Sequence, residues 1–205
     1  YALGGEGLEG VRVALQGVGN VGFDLARQLA AAGAKLWVCD LYADNAQRAA
    51  DELGATVGAP ADIYSLDVDV FAPCAIEGGI DEKTAERLKA KIVCGSANNQ
   101  LASHAIGDEL HRRGILFAPD YAVNAGGVMN VSLEIDGYNR ERAMRLIRSI
   151  YHNLGRIYDL SERENISPQY AADRIAEARM TAIGKLKLPL GRTAPRFMGH
   201  LRGEH

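Results

Sequence analysis

The sequence predicts an α/β fold in which a doubly wound parallel sheet is followed by additional carboxyl-terminal helices. Three observations predict it. Short apolar runs alternate with helical patterns from Val11 to Ala118. Within each run, apolar residues do not alternate with polar ones, which is typical of parallel strands covered on both faces. A glycine-rich turn, Gln16-Gly17-Val18-Gly19-Asn20-Val21-Gly22, joins the first run to the first helical pattern.

The strands and the helices between them follow in strict order, as right-handed crossovers between parallel strands require. The strands are predicted at Val11 to Leu15, Lys35 to Asp40, Val68 to Pro73, Lys91 to Cys94 and Ile115 to Ala118. The helices between them are predicted at Asn20 to Ala32, Asn45 to Leu53, Asp81 to Leu88 and His104 to Arg113. Gly33, Gly54 and Gly114 end three of these helices, because glycine suits the position after a helix.

From Gly126 onward the pattern is helical. Arg140 to Glu164 carries apolar residues three and four positions apart, which predicts one long amphipathic helix. Pro168 after Ser167 begins a second helix that runs to about Leu188, since proline suits the first helical turn. We therefore expect a single domain over residues 1–205, with a core at 8–135, following helices at 136–190 and a tail at 191–205.

The glycine-rich turn predicts a dinucleotide-binding site. Gly17 permits a tight turn, Gly19 lets a pyrophosphate approach the backbone, and Gly22 lets the helix pack closely on the strand. The N–H groups at the start of that helix face the phosphates, and the helix dipole favours their charge. The core at 8–135 is therefore predicted to be of the Rossmann type.

Asp40 favours NAD over NADP as the dinucleotide. It closes the second strand, about twenty residues after the glycine turn, where a carboxylate can accept hydrogen bonds from the adenosine ribose. The same charge repels a 2′-phosphate, and no arginine follows Asp40 closely. The alternative is that Asp40 only caps the loop that follows it.

Small and polar loops follow three of the later strands. They are Pro73-Cys74-Ala75, Gly95-Ser96-Ala97-Asn98-Asn99 and Pro119-Asp120-Tyr121. The carboxyl ends of parallel strands share one edge of the sheet, so we expect these loops to form a cleft. Asn124 precedes the paired glycines Gly126 and Gly127, and its amide could bind a carboxamide or an amino group. The alternatives are turn formation for Asn98 and Asn99 and an N-cap for Asn124.

Composition and charge bound the class of function. The chain has 205 residues, 47% hydrophobic and 24% charged, as is average for a globular protein. A net charge of −3 gives no basic surface for nucleic acid or an anionic membrane. No run approaches the length of about twenty apolar residues that spans a membrane, and the first residues do not resemble a signal peptide. Three scattered cysteines indicate buried thiols in a reducing, cytoplasmic compartment.

Residue types and spacing assign no catalytic residue and no metal site. The five histidines form no metal-binding pattern, and no pair of acids or nucleophile with base has a recognisable spacing. His104 is the one histidine near the predicted cleft, and a 2-hydroxy-acid dehydrogenase would need such a group. A standalone NAD-binding regulator or sensor without catalysis is a further alternative.

Six blocks of sequence together resemble one family. They are the glycine turn at 16–22, Phe71 to Ala75, Gly95 to Leu101, Ala118 to Tyr121, Asn124 to Val128 and Gly137 to Arg140. In this order they resemble the glutamate/leucine/phenylalanine/valine dehydrogenase family, most strongly its leucine-type members, from about Leu8 to about Leu188. The resemblance implies an enzyme that interconverts an L-amino acid with its 2-oxo acid and ammonia and passes hydride to NAD.

The resemblance also implies the residues of the site. The cofactor-binding residues would be Gly17, Val18, Gly19, Asn20, Val21 and Gly22 at the pyrophosphate, Asp40 and Leu41 at the adenosine, and Cys74, Ala75, Ala97 and Asn98 at the nicotinamide. Asn124 would lie between nicotinamide and substrate, and Val128 and Val131 would shape the pocket for the substrate side chain. Both valines are aliphatic, which favours a branched-chain or other apolar amino acid, although such pockets discriminate by only about 1–3 kcal/mol per methylene.

The resemblance also implies that the catalytic Lys and Asp belong to an amino-terminal domain, and we expect that domain to lie outside these 205 residues. The resemblance therefore implies that the chain alone binds NAD without turnover. It implies an amino-acid or 2-oxo-acid substrate and a homo-oligomer for the full-length enzyme. A phenylalanine or valine dehydrogenase is the alternative within the same family.

Overall fold

The computed structural model describes Leu3 and residues 7–75, 77–134 and 137–185. Residues 4–6, the predicted end of the last helix near Leu188 and the predicted tail at 191–205 lie outside the described residues.

Six parallel strands form one sheet. They are β1 (Arg12–Gln16), β2 (Lys35–Cys39), β3 (Thr56–Val57), β4 (Val70–Pro73), β5 (Ile92–Val93) and β6 (Leu116–Phe117). Their order across the sheet is β3-β2-β1-β4-β5-β6, and every pairing is parallel. The order reverses between β1 and β4, and ligands bind at the carboxyl ends of strands at such a switch point. The predicted Rossmann-type parallel sheet is confirmed.

Helices cover both faces of this sheet and extend beyond it. They are α1 (Asn20–Ala31), α2 (Ala43–Leu53), α3 (Glu82–Arg87), α4 (His104–Arg112), α5 (Asp120–Val123), α6 (Gly126–Ser132), α7 (Arg140–Glu164) and α8 (Pro168–Gly184), with a 3-10 helix at Ile63–Ser65. Successive residues of a strand point to opposite faces. Val13 and Leu15 of β1 therefore enter the core beneath α1 and α2. Ala14 enters the opposite core, with Phe71 and Leu110.

The last two helices form a third core beside the sheet, around Ile157 of α7 and Ala171 of α8. α8 begins at Pro168, as predicted. Ser167 is its N-cap, and the Ser167 side chain accepts a hydrogen bond from the N–H of Tyr170. The Ser167 hydroxyl also donates to Asp108 Oδ1 of α4 at 2.6 Å. This bond connects the helix pair to the helices that cover the sheet.

The structure contains three elements that the sequence analysis missed. They are the edge strand β3, the 3-10 helix at Ile63–Ser65 and the four-residue helix α5. The expected loop Pro119-Asp120-Tyr121 is wrong at its second and third residues, because α5 begins at Asp120. Each missed element is too short to show a periodicity in sequence. β5 and β6 are also shorter than predicted, at two residues each.

Asp69 joins three strands at the amino edge of the sheet. Its Oδ2 accepts hydrogen bonds from the backbone N–H of Arg12 at 3.0 Å and from Arg12 Nε at 3.2 Å. Its Oδ1 accepts from Arg12 Nη2 at 3.1 Å and from Lys91 Nζ at 3.2 Å. The side chain is 15% exposed. Hydrogen bonding to Arg12 holds the pKa of Asp69 well below its ordinary value.

Replacing this carboxylate should destabilise the protein in a pH-dependent way. We expect Asp69→Asn to lower the free energy of unfolding by about 1–3 kcal/mol at neutral pH, because an amide cannot accept from all four donors. Since the folded pKa lies below the unfolded value of about 3.9, the stabilisation is present above that value and is lost as pH falls through the folded pKa. Urea unfolding at a series of pH values measures the difference.

Asp24→Asn is the matched control, because Asp24 pairs with Arg27 on an exposed helix face. Such exposed pairs contribute little to stability. A difference between the wild type and Asp69→Asn that widens toward acid pH would contradict the ion-pair explanation.

Candidate functional site

The glycine turn connects β1 to α1 at the switch point of the sheet. Gly17 has a φ of +94°, and its N–H donates to the carbonyl of Cys39 at 2.8 Å. A Cβ on Gly17 would lie 2.5 Å from the Cβ of Ala75, and a Cβ on Gly22 would lie 2.1 Å from the Gly17 carbonyl oxygen. Any side chain at Gly17 or at Gly22 would clash with these atoms, so each position requires glycine.

The amino end of α1 has N–H groups that no side chain in the described part of the chain caps. Its N-cap is Gly19, and its first turn contains no acidic residue. Among the residues that the structure describes, none has an atom within 4 Å of a Cβ placed on Gly19. Uncapped N–H groups at the positive end of the helix dipole suit a phosphate, and the open space at Gly19 lets one reach the backbone. This geometry fits the pyrophosphate of a dinucleotide.

A cleft of about 320 Å³ lies between the glycine turn and the loops after β2 and β4. The predicted cofactor residues that line it are Gly17, Gly19, Asp40, Leu41, Cys74 and Ala75. Residues that the sequence analysis did not assign to the site also line it, namely Gln16, Cys39, Tyr42, Asn45 and Pro60. Their nearness in sequence to Asp40 or Gly17 could have identified all of them except Pro60, which follows β3.

Both oxygens of Asp40 accept hydrogen bonds. Oδ2 accepts from the N–H of Val18 in the glycine turn at 2.8 Å. Oδ1 accepts from the N–H of Tyr42 at 2.9 Å and from Asn45 Nδ2 at 3.3 Å. The carboxylate therefore orders its own loop, as the alternative interpretation held, and it also lines the cleft.

The loop after β5 rests directly on the last residue of β4. The N–H of Ala97 donates to the carbonyl of Pro73 at 3.0 Å, and a Cβ on Gly95 would lie 2.1 Å from that same oxygen. Asn124 Nδ2 donates to Asn98 Oδ1 at 2.6 Å and reaches the Ala97 carbonyl at 3.4 Å. The structure thus brings together Ala97, Asn98 and Asn124 beside the strand end that leads to Cys74.

The alternatives for the asparagines have different outcomes. Asn99 has a φ of +47°, as expected for an asparagine in a turn. Asn124 is not an N-cap: Ala125 holds that position for α6, and Asn124 ends α5 instead. Val128 and Val131 of α6 are 70% and 59% exposed, so both side chains are accessible from outside the chain.

His104 lies outside the cleft. Its Nδ1 is 3.6 Å from Asp173 Oδ2 on α8, and both residues line a separate cavity of about 400 Å³ with Tyr121. The position of His104 therefore gives no support to a 2-hydroxy-acid dehydrogenase. Within the described ranges, no group of three or more His, Cys, Asp or Glu side chains is placed to hold a metal ion.

The three thiols are poor nucleophiles at neutral pH. Burial raises the pKa of Cys39 and of Cys94 to about 11. It also raises the pKa of Cys74 above its ordinary value. All three thiols are therefore protonated, and the reactive form of cysteine is the thiolate.

None of the helices in the described part of the chain combines the length and apolar character needed to cross a membrane.

Comparison with known proteins identifies relatives over most of the chain. Residues 39–186 match the family model for glutamate/leucine/phenylalanine/valine dehydrogenase. Leucine dehydrogenase of Geobacillus stearothermophilus is 48% identical over 188 residues, which cover 92% of this chain and 51% of that protein. Phenylalanine dehydrogenase of Lysinibacillus sphaericus is 41% identical over 179 residues, covering 85% and 47%. The crystal structure of L-tryptophan dehydrogenase from Nostoc punctiforme has a TM-score of 0.84 and 41% identity, covering 87% and 53%.

The chain spans about half the length of the curated relatives it matches. The family model matches more than half of the chain, from the end of β2 to the end of the last described helix. The matched region contains Asp40, the loops after β4 and β5 and Asn124, but not the glycine turn. The chain belongs to the glutamate/leucine/phenylalanine/valine dehydrogenase family.

Proposed function

We propose that this chain is the NAD-binding domain of an L-amino-acid dehydrogenase, which converts an apolar L-amino acid to its 2-oxo acid and ammonia. The observation that carries the proposal is the arrangement at the switch point. The uncapped start of α1 and Asp40 lie at the loops after β1 and β2. The hydrogen-bonded pair Asn98 and Asn124 lies at the loop after β5, which contacts Pro73 at the end of β4. An elongated ligand with phosphates, a ribose and a carboxamide matches this order of N–H groups, carboxylate and amides.

In this proposal, the residues of this chain bind the dinucleotide and the substrate and orient them for reaction. The first N–H groups of α1 hold the pyrophosphate, and Asp40 accepts hydrogen bonds from the ribose hydroxyls. The bonds from Val18 and Tyr42 fix the Asp40 carboxylate before any ligand arrives. The amides of Asn98 and Asn124 bind the carboxamide and the substrate. NAD, when bound, accepts a hydride from the α-carbon of the amino acid, and the protein supplies the orientation for that transfer.

Within the family, we propose a substrate with a branched aliphatic side chain, because Val128 and Val131, which would shape the pocket for that side chain, are both aliphatic. Relatives named for leucine, phenylalanine and tryptophan support an apolar amino acid as the substrate class. Phenylalanine or valine is the alternative. The homo-oligomer and the cytoplasmic location stay predictions.

We expect this chain alone to bind NADH without catalysing turnover. The proposal places the groups that transfer protons in the half of the relatives that this chain does not span. A steady-state assay with leucine, valine and phenylalanine tests this. Robust turnover would mean that the catalytic residues lie within these 205 residues. Binding without turnover would also fit a standalone regulator, and restored activity on adding the missing half of a relative would exclude that alternative.

The Gly19→Ala variant tests the cofactor site itself. Gly19 has a φ of −67° in an extended conformation that alanine can adopt, and the new methyl group meets no atom of the described residues within 4 Å. It does occupy the space that the pyrophosphate needs. We therefore expect wild-type thermal stability but NADH binding weaker by about tenfold or more, equivalent to about 1.4 kcal/mol. Calorimetric titration measures the dissociation constant.

Gly155→Ala is the matched control for this substitution. Gly155 lies inside α7, and its Cβ would also meet open space. This variant should bind NADH as the wild type does and gain about 0.5–1 kcal/mol of stability from the better helix former. Equal NADH affinity in the wild type and in Gly19→Ala would refute the proposed site.

The charge of Asp40 should determine the choice between NADH and NADPH. Two like charges about 4 Å apart repel each other by about 1 kcal/mol in bulk water and by about 4 kcal/mol near a protein surface. We expect Asp40→Ser to reduce the preference for NADH over NADPH by about tenfold, with Asp51→Ser on the exposed end of α2 as control. Titration of both dinucleotides gives the ratio. An unchanged ratio, or a wild type that prefers NADPH, would contradict NAD as the cofactor.

A further inference from the structure

Gln100 is a large polar side chain in the core, only 1% exposed. Its Nε2 donates to the carbonyl of Gly95 at 2.9 Å and to the carbonyl of Ala97 at 3.0 Å. Its backbone N–H donates to Asp120 Oδ2 at 3.0 Å. Asp120 is also buried, and its other oxygen accepts from the N–H of Tyr121. One residue therefore spans the loop after β5 and connects it to the segment after β6.

Filling space does not explain a glutamine at this position. Gln100 Oε1 is buried and accepts no hydrogen bond from the described residues, which is unfavourable. A leucine or methionine would fill a similar volume without that cost. Only an amide adds two N–H donors, and both are in use. The reversed amide is excluded, because Oε1 would then face two carbonyl oxygens.

The two carbonyls that Gln100 binds belong to the loop that carries Asn98. The Ala97 carbonyl is also 3.4 Å from Asn124 Nδ2, and that nitrogen donates to Asn98 Oδ1 at 2.6 Å. Gln100 therefore holds two backbone carbonyls of the loop whose Asn98 side chain contacts Asn124. Asp40, which lines the cleft, is ordered by separate bonds to Val18 and Tyr42.

We propose that Gln100 is a positioning residue for the nicotinamide end of the cofactor. By holding the carbonyls of Gly95 and Ala97 it sets the orientation of Asn98 and Asn124, while the adenosine end is ordered independently. The inference rests on the proposed function, because it assumes that a nicotinamide dinucleotide occupies the cleft. It adds to that function a residue that touches no cofactor atom and acts through the loop.

A pair of ligands separates this role from a general structural one. ADP-ribose keeps the adenosine, pyrophosphate and second ribose of NADH but has no nicotinamide. We expect Gln100→Met in the full 205-residue chain to bind ADP-ribose within about twofold of the wild type and NADH about five- to tenfold more weakly, as two lost neutral hydrogen bonds would give. Calorimetric titration of both ligands measures this split.

Gln100→Glu is the second variant, because it keeps the shape of the side chain and removes at least one donor. It should show the same selective loss for NADH, and it serves if Gln100→Met does not fold. Gln28→Met is the control, since Gln28 donates to Asp24 on the exposed face of α1. It should bind both ligands as the wild type does.

Each outcome of these titrations either supports or overturns the inference. A selective loss of NADH affinity in either Gln100 variant supports it. Equal weakening of NADH and ADP-ribose, or no weakening of either, overturns it and leaves the proposed function intact. A wild type that binds neither ligand overturns the proposed function and the inference with it.

Discussion

The loops at the carboxyl ends of β1, β4 and β5 contact one another through backbone atoms. A Cβ on Gly22 would lie 2.1 Å from the Gly17 carbonyl oxygen, and one on Gly95 would lie 2.1 Å from that of Pro73. Gly17 directly follows β1 and Pro73 ends β4, so neither oxygen can move without moving a strand. These contacts fix α1 against β1 and the loop after β5 against β4. The cleft, the open helix end and the asparagine pair all take their positions from them.

Polar side chains beneath this edge hold the loops in place. Asp40 and Asp120 each accept hydrogen bonds from backbone N–H groups, and Gln100 donates to two backbone carbonyls. A site ordered by its own protein contacts loses less conformational freedom when a ligand binds. Asp69 makes its four hydrogen bonds at the opposite edge. Substitutions that tune stability are therefore available far from the residues that bind.

Local chemistry made part of this structure predictable from sequence. The glycine turn, the start of α8 at Ser167 and Pro168, and the apolar central strands each depend on neighbours within a few positions. The same holds for Asp40, whose place follows from the length of one strand and one helix. The resemblance of six short blocks then indicated the family, which the family model confirms.

The parts that could not be predicted depend on contacts between distant segments. Pro60 reaches the cleft because β3 pairs with β2, and two residues carry too little pattern to predict that pairing. Gln100 reads in sequence as an ordinary polar residue after a turn. Its burial follows from Asp120, twenty positions later, and from carbonyls whose directions only the folded loop defines. The same limit applies to His104, which the sequence placed near the cleft and which instead faces Asp173 of α8.

The sheet ends on both sides in strands of only two residues, β3 and β6. Long edge strands offer unpaired N–H and C=O groups on which a foreign strand can add, and proteins shorten or cover them to avoid aggregation. Here β6 also packs against α8. The five residues of β1 and of β2 provide a long hydrogen-bonded centre. An incoming strand therefore finds almost no ladder to extend, and the sheet is protected against edge-to-edge association while its interior stays extensively paired.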